Sequence, residues 1–215
     1  MENLSYAQEY YLCAVNSKGD VPAMKSVEIH GSLLAGAVAQ LLERGFVERG
    51  EGDALACAKP LDDSFSYLRP PYDAIASQKK PRNLKSFVTW EFKPRLYNGT
   101  LFAIGASLAA LGHADELSPQ GFLKRKTKFA PKPEATATAI GKIRSELLES
   151  DSGGITGETL CLTALLDKSK LLKDFFSKDE LDALKKRLEE ARGSEAYDMA
   201  KDVIDVISAG AAVAG

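Results

Sequence analysis

Residue types that often carry catalytic or metal chemistry are scarce in this chain of 215 residues, which has two histidines, three cysteines and one tryptophan. His30 and His113 are far apart in sequence, and neither belongs to a metal-binding motif such as His-Glu-x-x-His. The signatures of serine hydrolases, P-loop proteins and Rossmann dinucleotide-binding proteins are missing as well. We therefore predict a protein that is not an enzyme and that uses no metal or other cofactor.

Two short stretches resemble parts of ligand-binding sites but lack the features that such sites require. Gly153-Gly154-Ile155-Thr156-Gly157 is glycine-rich like a phosphate loop, but it lacks the Gly-Lys-Ser/Thr ending and a preceding strand. We interpret it as a break between helices. Asp62-Asp63 is interpreted as part of a solvated loop rather than a metal-binding pair.

Cysteine spacing and hydropathy indicate the compartment. Cys13, Cys57 and Cys161 follow neither a disulfide framework nor a metal-site spacing, so we expect three reduced thiols and a cytoplasmic location. No apolar run approaches the roughly 20 residues of a membrane-spanning helix. The first residues lack the basic start and apolar core of a signal peptide.

Composition and periodicity indicate the fold class. Apolar residues make up 45% of the chain and charged residues 27%, as in ordinary globular proteins. The length favours one domain over residues 1–215. We predict a mainly α-helical domain, a bundle around a buried central helix, with one or two β-hairpins.

A buried helix followed by a hairpin is predicted over residues 31–58. Leu34, Val38 and Leu41 recur at helical spacing with alanine and glycine between them, so the helix should be buried on most sides. Gly45 should end the helix, because glycine readily adopts the positive φ of a helix C-terminus. Residues 46–49 and 54–57 are predicted to be the two strands.

A similar pattern recurs 67 residues later, over residues 99–130. The matching pairs are Leu34 and Leu101, Leu41 and Leu108, and Gly45 and Gly112. A second hairpin is predicted with its turn at 118–121 and a strand at 122–129. If the repeat is real, two helix–hairpin units pack around one core.

Helical patterns dominate the rest of the chain. Residues 4–15 are predicted as a first helix whose apolar side consists of Tyr6, Tyr10, Leu12 and Cys13. Residues 160–172 are predicted to form the buried central helix, preceded by Thr156 as its cap. Further helices are predicted over 134–149, over 178–192 after a capping box of Ser177 and Glu180, and over 195–212.

Charge is unevenly distributed along the chain, although the net charge is only −2. Residues 74–133 contain 11 basic and 3 acidic side chains, a charge of +8, whereas 1–73 and 134–215 each carry −5. A basic middle indicates a surface that attracts an anion, such as lipid headgroups, nucleic acid or an acidic protein. The alternative is that these cations are solubilising residues on several faces.

Three segments resemble parts of the Golgi phosphoprotein 3 family. Residues 4–12, with Leu4, Glu9 and Leu12, resemble its opening helix. Leu41-Leu42-Glu43-Arg44-Gly45-Phe46-Val47 is similar to its leucine-rich helix that ends in Arg-Gly, and residues 163–172 are similar to its late helix. The order and spacing of these segments fit the family over nearly the whole chain.

The resemblance implies a cytosolic helical protein that recognises phosphatidylinositol 4-phosphate on the cytoplasmic face of a membrane. It also implies binding to short cytosolic tails of membrane proteins. The family has a tryptophan and an arginine near the Arg-Gly helix and two arginines on the later helix. These positions fall at Lys25, Leu34, Asn98 and Leu101, none of which matches, so selective phosphoinositide binding is in doubt.

What remains are seven cations, the candidates for contact with a lipid headgroup or another anion: Lys25, Lys93, Arg95, Lys124, Arg125, Lys126 and Lys128. We expect weak attachment to an anionic phospholipid surface, since each lysine near such a surface contributes about 1 kcal/mol. Those at 124–128 have an alternative interpretation as a charged edge strand that resists aggregation.

Other functions stay open at this stage. A helix followed by a hairpin also occurs in winged-helix modules, where residues 124–128 would contact DNA phosphates. In the helix that ends at Gly45, only Gln40 and Glu43 are polar side chains that could contact DNA bases, so a nucleic-acid partner is disfavoured. The remaining alternative is a helical interaction or scaffold protein that does not bind lipid. The second hairpin could also join copies of the chain into a homo-oligomer, as the family's hairpin is thought to do.

Overall fold

A computed structural model of the protein describes residues 4–90, 94–117, 127–149 and 154–194, together with 196, 197, 200, 201, 204, 205 and 208. Within these residues the fold is mainly α-helical with two antiparallel two-stranded sheets, as predicted. The helices are α1 (Tyr6–Ala14), α2 (Ser26–Glu43), α3 (Arg69–Ala76), α4 (Leu84–Trp90), α5 (Pro94–Ala110), α6 (Pro133–Ile143), α7 (Gly157–Lys168) and α8 (Lys178–Ala191). The strands are β1 (Val47–Arg49), β2 (Leu55–Cys57), β3 (Ala114–Leu117) and β4 (Lys128–Pro131).

Helix α1 lies at the centre of the fold. A capping box begins it, in which the Ser5 hydroxyl and the Gln8 side chain each accept from the other residue's N–H. The sequence predicted one apolar side, but every residue of α1 is buried because α2, α5, α6 and α7 surround it. The buried residues include Glu9, whose Oε2 lies 3.5 Å from Lys142 Nζ. Burial raises the pKa of Glu9.

The first helix–hairpin unit consists of α2, β1 and β2. Helix α2 begins earlier than predicted, and its residues 31–41 are all buried, as expected for a helix surrounded by others. Gly45 has a φ of 68°, and the Phe46 N–H donates to the Leu41 carbonyl at 2.9 Å. This is the predicted glycine termination. The predicted hairpin is present, and its strands pair Val47 with Cys57.

The second unit, formed by α5, β3 and β4, repeats this plan. Gly112 has a φ of 80°, and the His113 N–H donates to the Leu108 carbonyl at 2.8 Å. The capping residues of the two units are therefore separated by the 67 residues inferred from sequence. The following hairpin pairs Ala114 with Pro131.

The predicted strand over 122–129 is only partly correct. Residues 118–126 lie outside the described part of the chain, Thr127 is not in a strand, and β4 runs from Lys128 to Pro131. Burial explains this later position, since Phe129 packs in the core and its carbonyl accepts a hydrogen bond of 2.9 Å from the Tyr11 hydroxyl. The turn at Gly19, with a φ of 69°, lies against the same strand.

Helix α7 is buried, as predicted for residues 160–172, but it ends at Lys168. The central position predicted for this segment is occupied by α1, which four helices surround. Helix α7 stops early because Lys170 adopts a φ of 58° and the Leu171 N–H donates to the Leu166 carbonyl. The predicted cap is present, since the Thr156 hydroxyl accepts from the Thr159 N–H.

The remaining helices follow the predicted order with one change. The segment 134–149 divides into α6 and a π-helical turn over Arg144–Glu149. Arg144 in this turn forms an ion pair with Glu180, which also completes the predicted capping box of α8 with Ser177. Of the helix predicted over 195–212, the described residues are helical and the others lie outside the described part.

Candidate functional site

Two of the predicted cations are neutralised by acidic residues distant in sequence. Lys25 precedes α2, and its Nζ lies 2.5 Å from Asp174 Oδ2. Lys128 begins β4, and its Nζ lies 2.5 Å from Asp20 Oδ1. Since a carboxylate matches each of these ammonium groups, neither adds net positive charge to the surface.

Arg95 lies in a different setting, in an open groove between the beginning of α5 and the residue that precedes β4. The groove has a volume of about 600 Å³ and is lined by Pro94, Arg95, Asn98, Gly99, Phe102 and Thr127. Within the part of the chain that the structure describes, Arg95 has no ion-pair partner. Arg95 is also an exposed residue of the protein surface.

The groove exists because α5 is buried on one side only. Arg95, Asn98 and Phe102 recur every three or four residues and so share one side of the helix. Thr100, Ile104, Gly105 and Leu108 are among the buried residues on its other side. Phe102 remains 50% exposed, and its ring meets the buried Phe129 ring edge-on with centroids 5.3 Å apart. The groove thus combines a cation, an amide, a hydroxyl and an aromatic surface.

The other four predicted cations, Lys93, Lys124, Arg125 and Lys126, lie outside the described residues. In sequence, Lys93 directly precedes Pro94, and Lys126 directly precedes Thr127. Their contact with a lipid headgroup or another anion stays a prediction from sequence.

Two described cations of the basic middle, Arg82 and Lys132, lie beside different hairpins. The Arg82 carbonyl accepts a 2.8 Å hydrogen bond from the Leu55 N–H, which places this basic loop beside the first hairpin. Lys132 follows the second hairpin, and its Nζ lies 3.9 Å from Asp115 Oδ1. The uneven charge of the sequence therefore does not by itself define one basic face.

The beginnings of α2 and α5 lie side by side. The His30 ring packs on the Tyr97 ring with centroids 4.1 Å apart, and burial lowers the pKa of His30. At this end of the molecule Met24 is 97% exposed and Val27 is 45% exposed. Exposed apolar side chains therefore lie at the same end of the paired helices as the groove.

Thiol chemistry and metal binding find little support in the described residues. Burial raises the pKa of the Cys13 thiol to about 12 and also raises that of Cys161, so both stay protonated at neutral pH. Cys13, Cys57 and Cys161 are unpaired, as predicted. No cluster of three or more histidine, cysteine, aspartate or glutamate residues in the described part could hold a metal ion.

The four positions at which the family resemblance implied headgroup residues hold other residue types here, and they differ in burial. Leu34 is fully buried in the core and cannot contact a headgroup. Asn98 lines the groove but carries no charge, and Leu101 is half-buried. A phosphoinositide site built from these four positions is therefore not retained.

A family model described as Golgi phosphoprotein 3 (GPP34) matches residues 7–209, nearly the whole chain. The chain belongs to the Golgi phosphoprotein 3 family. No curated protein matches it at a significant level. Family membership supports a Golgi phosphoprotein-like function, and the matched region includes both helix–hairpin units. No helix within the described residues is long and apolar enough to cross a bilayer.

Sequence reasoning identified Arg95 but missed its neighbours Asn98, Phe102 and Thr127. The aligned units contained a signal for two of the groove residues. Glu28 of the first unit corresponds to Arg95, and Ala35 corresponds to Phe102. At these two positions α5 has the opposite charge and a bulky ring where the similar helix α2 has an acid and an alanine. The difference indicates that this side of α5 does not have the same role as the equivalent side of α2.

Proposed function

We propose that this member of the Golgi phosphoprotein 3 family attaches to membranes that contain anionic phospholipid, and that its role is binding rather than catalysis. The observation that supports this proposal is the exposed Arg95, which has no ion-pair partner among the described residues, beside the half-exposed Phe102 ring in an open groove. Lys25 and Lys128 contribute less, because their charges are matched by Asp174 and Asp20.

The groove chemistry suits a phosphate with an apolar attachment. A guanidinium can donate two parallel hydrogen bonds to phosphate oxygens. Asn98 and Thr127 supply an amide and a hydroxyl that can donate further hydrogen bonds. Phe102 offers apolar surface to the glycerol and the first part of an acyl chain. We therefore propose that the headgroup phosphate binds beside Arg95 while the lipid body lies over Phe102.

We propose weak selectivity among anionic lipids rather than recognition of phosphatidylinositol 4-phosphate. Selective recognition of that headgroup would need several cations around its two phosphates. Among the described residues Arg95 is the one unpaired cation that lines the groove. One cation near an anionic surface contributes about 1 kcal/mol, so attachment should be weak and reversible.

Vesicle flotation with a matched pair of variants tests this proposal. The parent should bind vesicles of phosphatidylcholine and phosphatidylglycerol but not phosphatidylcholine alone. Arg95→Gln should weaken binding about fivefold at low salt, which corresponds to about 1 kcal/mol. The control is Arg49→Gln on the exposed part of β1, which should bind like the parent. Equal loss in both variants would contradict the assignment of the groove.

The second hairpin is tested separately, because its cations were predicted from sequence to contact either a membrane or a neighbouring subunit. In the membrane case, changing Lys124, Arg125, Lys126 and Lys128 to serine should weaken vesicle binding strongly at low salt. The difference should fade as the Debye length falls to about 8 Å at physiological salt. In the subunit case, sedimentation should shift toward monomer with unchanged vesicle binding. Tighter binding to duplex DNA than to vesicles would instead support the nucleic-acid alternative.

A further inference from the structure

The most exposed large apolar side chain in the described residues is Met24, at 97%. Val27 lies three residues further on and is 45% exposed. Residues three apart on a helical turn lie on the same side, so the two side chains form a small apolar projection at the beginning of α2. Within the described residues Met24 is almost uncovered, whereas Val27 is covered over about half of its surface.

The charged residues of the same turns point elsewhere. Lys25 reaches Asp174 and also donates to the Lys170 carbonyl at 3.2 Å. Glu28 Oε1 lies 3.1 Å from Lys170 Nζ. Both ion pairs connect this turn to the segment after α7. Lys25 and Glu28, the charged residues next to the apolar pair, are both engaged in ion pairs with the segment after α7. Met24 and Val27 therefore project without an adjacent unpaired charge from this turn.

We infer that the Met24/Val27 pair inserts into the interfacial layer of the same anionic bilayer that the groove contacts. This inference rests on the proposed function. The His30–Tyr97 contact puts the beginning of α2 against the beginning of α5, where Arg95 lies in the groove. Apolar insertion beside a cation is the combination by which surface-bound proteins attach to anionic membranes.

A bilayer fits this surface better than a protein partner does. A stable protein interface buries about 800 Å² on each partner and involves about 20 residues or more. Two projecting side chains are far too few for such an interface. They can, however, enter the acyl boundary individually, because lipid rearranges around each of them. Burial of one such side chain strengthens binding by roughly tenfold or more.

A fluorescent label at position 24 tests the inference directly. Met24→Cys is made in a Cys57→Ser background, since Cys13 and Cys161 are buried and Cys57 is the partly accessible thiol. The matched control carries the label at Lys186→Cys on the outer side of α8, where the side chain is 78% exposed. With phosphatidylcholine/phosphatidylglycerol vesicles, an environment-sensitive dye at position 24 should shift to the blue, and the same dye at 186 should not.

A second measurement removes any effect of the label. The unlabelled double variant Met24→Ser/Val27→Ser removes both apolar side chains, so it should bind these vesicles at least about tenfold more weakly with an unchanged melting temperature. Vesicle binding without a dye shift at 24, or with unchanged affinity of the double variant, would overturn the insertion and leave the proposed function intact. Failure of the parent to bind anionic vesicles would overturn both.

Discussion

The two helix–hairpin units share a backbone plan but differ in their surroundings. Helix α2 is buried over residues 31–41, whereas α5 is buried on one side and open to a groove on the other. At equivalent positions, Ala35 is fully buried and Phe102 is half-exposed. The comparison shows that local sequence signals set the form of the unit, while side-chain size and charge decide whether it becomes core or surface.

The two units also differ in charge near the beginning of their helices. Glu28 of α2 is paired with Lys170, whereas the equivalent Arg95 of α5 is unpaired among the described residues. His30 and Tyr97 are also equivalent positions, and they contact each other. Two copies that meet through corresponding residues resemble the halves of a two-fold dimer. One half then supplies the buried scaffold, and the other supplies the groove.

The largest expected effect comes from charging the contact that buries the first unit. Leu165 of α7 packs against α2 so closely that a Cβ on Gly36 would lie 3.0 Å from Leu165 Cδ1. Leu165→Asp should cost about 4 kcal/mol or more, because it buries an unpaired carboxylate. Circular dichroism should show loss of cooperative melting. Phe102→Asp on the exposed side of α5 is the control and should stay folded, while a Leu165→Asp protein with normal melting would refute the burial of α7 against α2.

Two glycines of α5 distinguish its buried side from its groove side. A Cβ on Gly105 would lie 2.6 Å from the Tyr11 hydroxyl and 2.7 Å from the Phe129 ring. Gly105→Ala should therefore destabilise by about 1 to 3 kcal/mol in urea denaturation. On the groove side, a Cβ on Gly99 would meet Pro70 at 3.6 Å, an ordinary contact. Gly99→Ala should be neutral or stabilise by up to about 1 kcal/mol, and equal effects would mean that both sides are packed alike.

Removing one tyrosine hydroxyl near each hairpin compares how much each hydrogen bond stabilises the fold. The buried Tyr11 hydroxyl donates to Phe129 of β4, whereas the Tyr72 hydroxyl donates to the Lys59 carbonyl beyond β2 at 3.0 Å in an exposed position. Tyr11→Phe should cost about 1 kcal/mol because it leaves a buried carbonyl without its partner. Tyr72→Phe should cost less, since water replaces its bond. The measurement is the free energy of unfolding, and a larger effect at Tyr72 would reverse the ranking.

The smallest expected effect concerns pH at the two ends of α2. A bond from its own backbone N–H, assisted by Lys170, lowers the pKa of Glu28. Glu43 is exposed as a residue, yet desolvation of its carboxylate raises its pKa. Stability from Glu28 is therefore present above its unfolded pKa and lost as pH falls through the lowered value. For Glu43, stability is lost as pH rises from the unfolded to the raised value.

Substitution by glutamine removes each titration. Between about pH 4 and pH 7, Glu43→Gln should gain stability relative to the parent as pH rises. Glu28→Gln should lose stability relative to the parent over the rise from acid to neutral pH. Melting temperatures measured across this range give both slopes. Slopes of the same sign would contradict the opposite environments of the two ends.

Structural features that depend on only a few neighbouring residues, such as helix caps and helix ends, could be predicted from the sequence. Gly45 and Gly112 end their helices as predicted, since few other residues adopt the required φ. Thr156 caps α7, and Ser177 and Glu180 form the capping box of α8. The buried character of α7 followed from its apolar side. The family match also confirms a resemblance first seen in short segments.

Features that depend on contacts between residues distant in sequence could not be predicted from the sequence. Lys25 and Lys128 are neutralised by carboxylates on other parts of the chain, which no local pattern indicates. The polar side of α1 is buried because four helices meet around it. The later position of β4 depends on the burial of Phe129. The groove itself forms between α5 and a residue that precedes β4, so it exists only after tertiary packing.

The central position of α1 has a consequence for synthesis on the ribosome. This helix is made early, yet one of the helices that covers it, α7, ends about 150 residues later. At typical elongation rates the delay is about 10 to 30 seconds. During that interval the side of α1 that α7 covers stays open, so the nascent chain carries an apolar segment that chaperones can bind. Slow translation before α7 should therefore lower the yield of native protein more than slow translation after it.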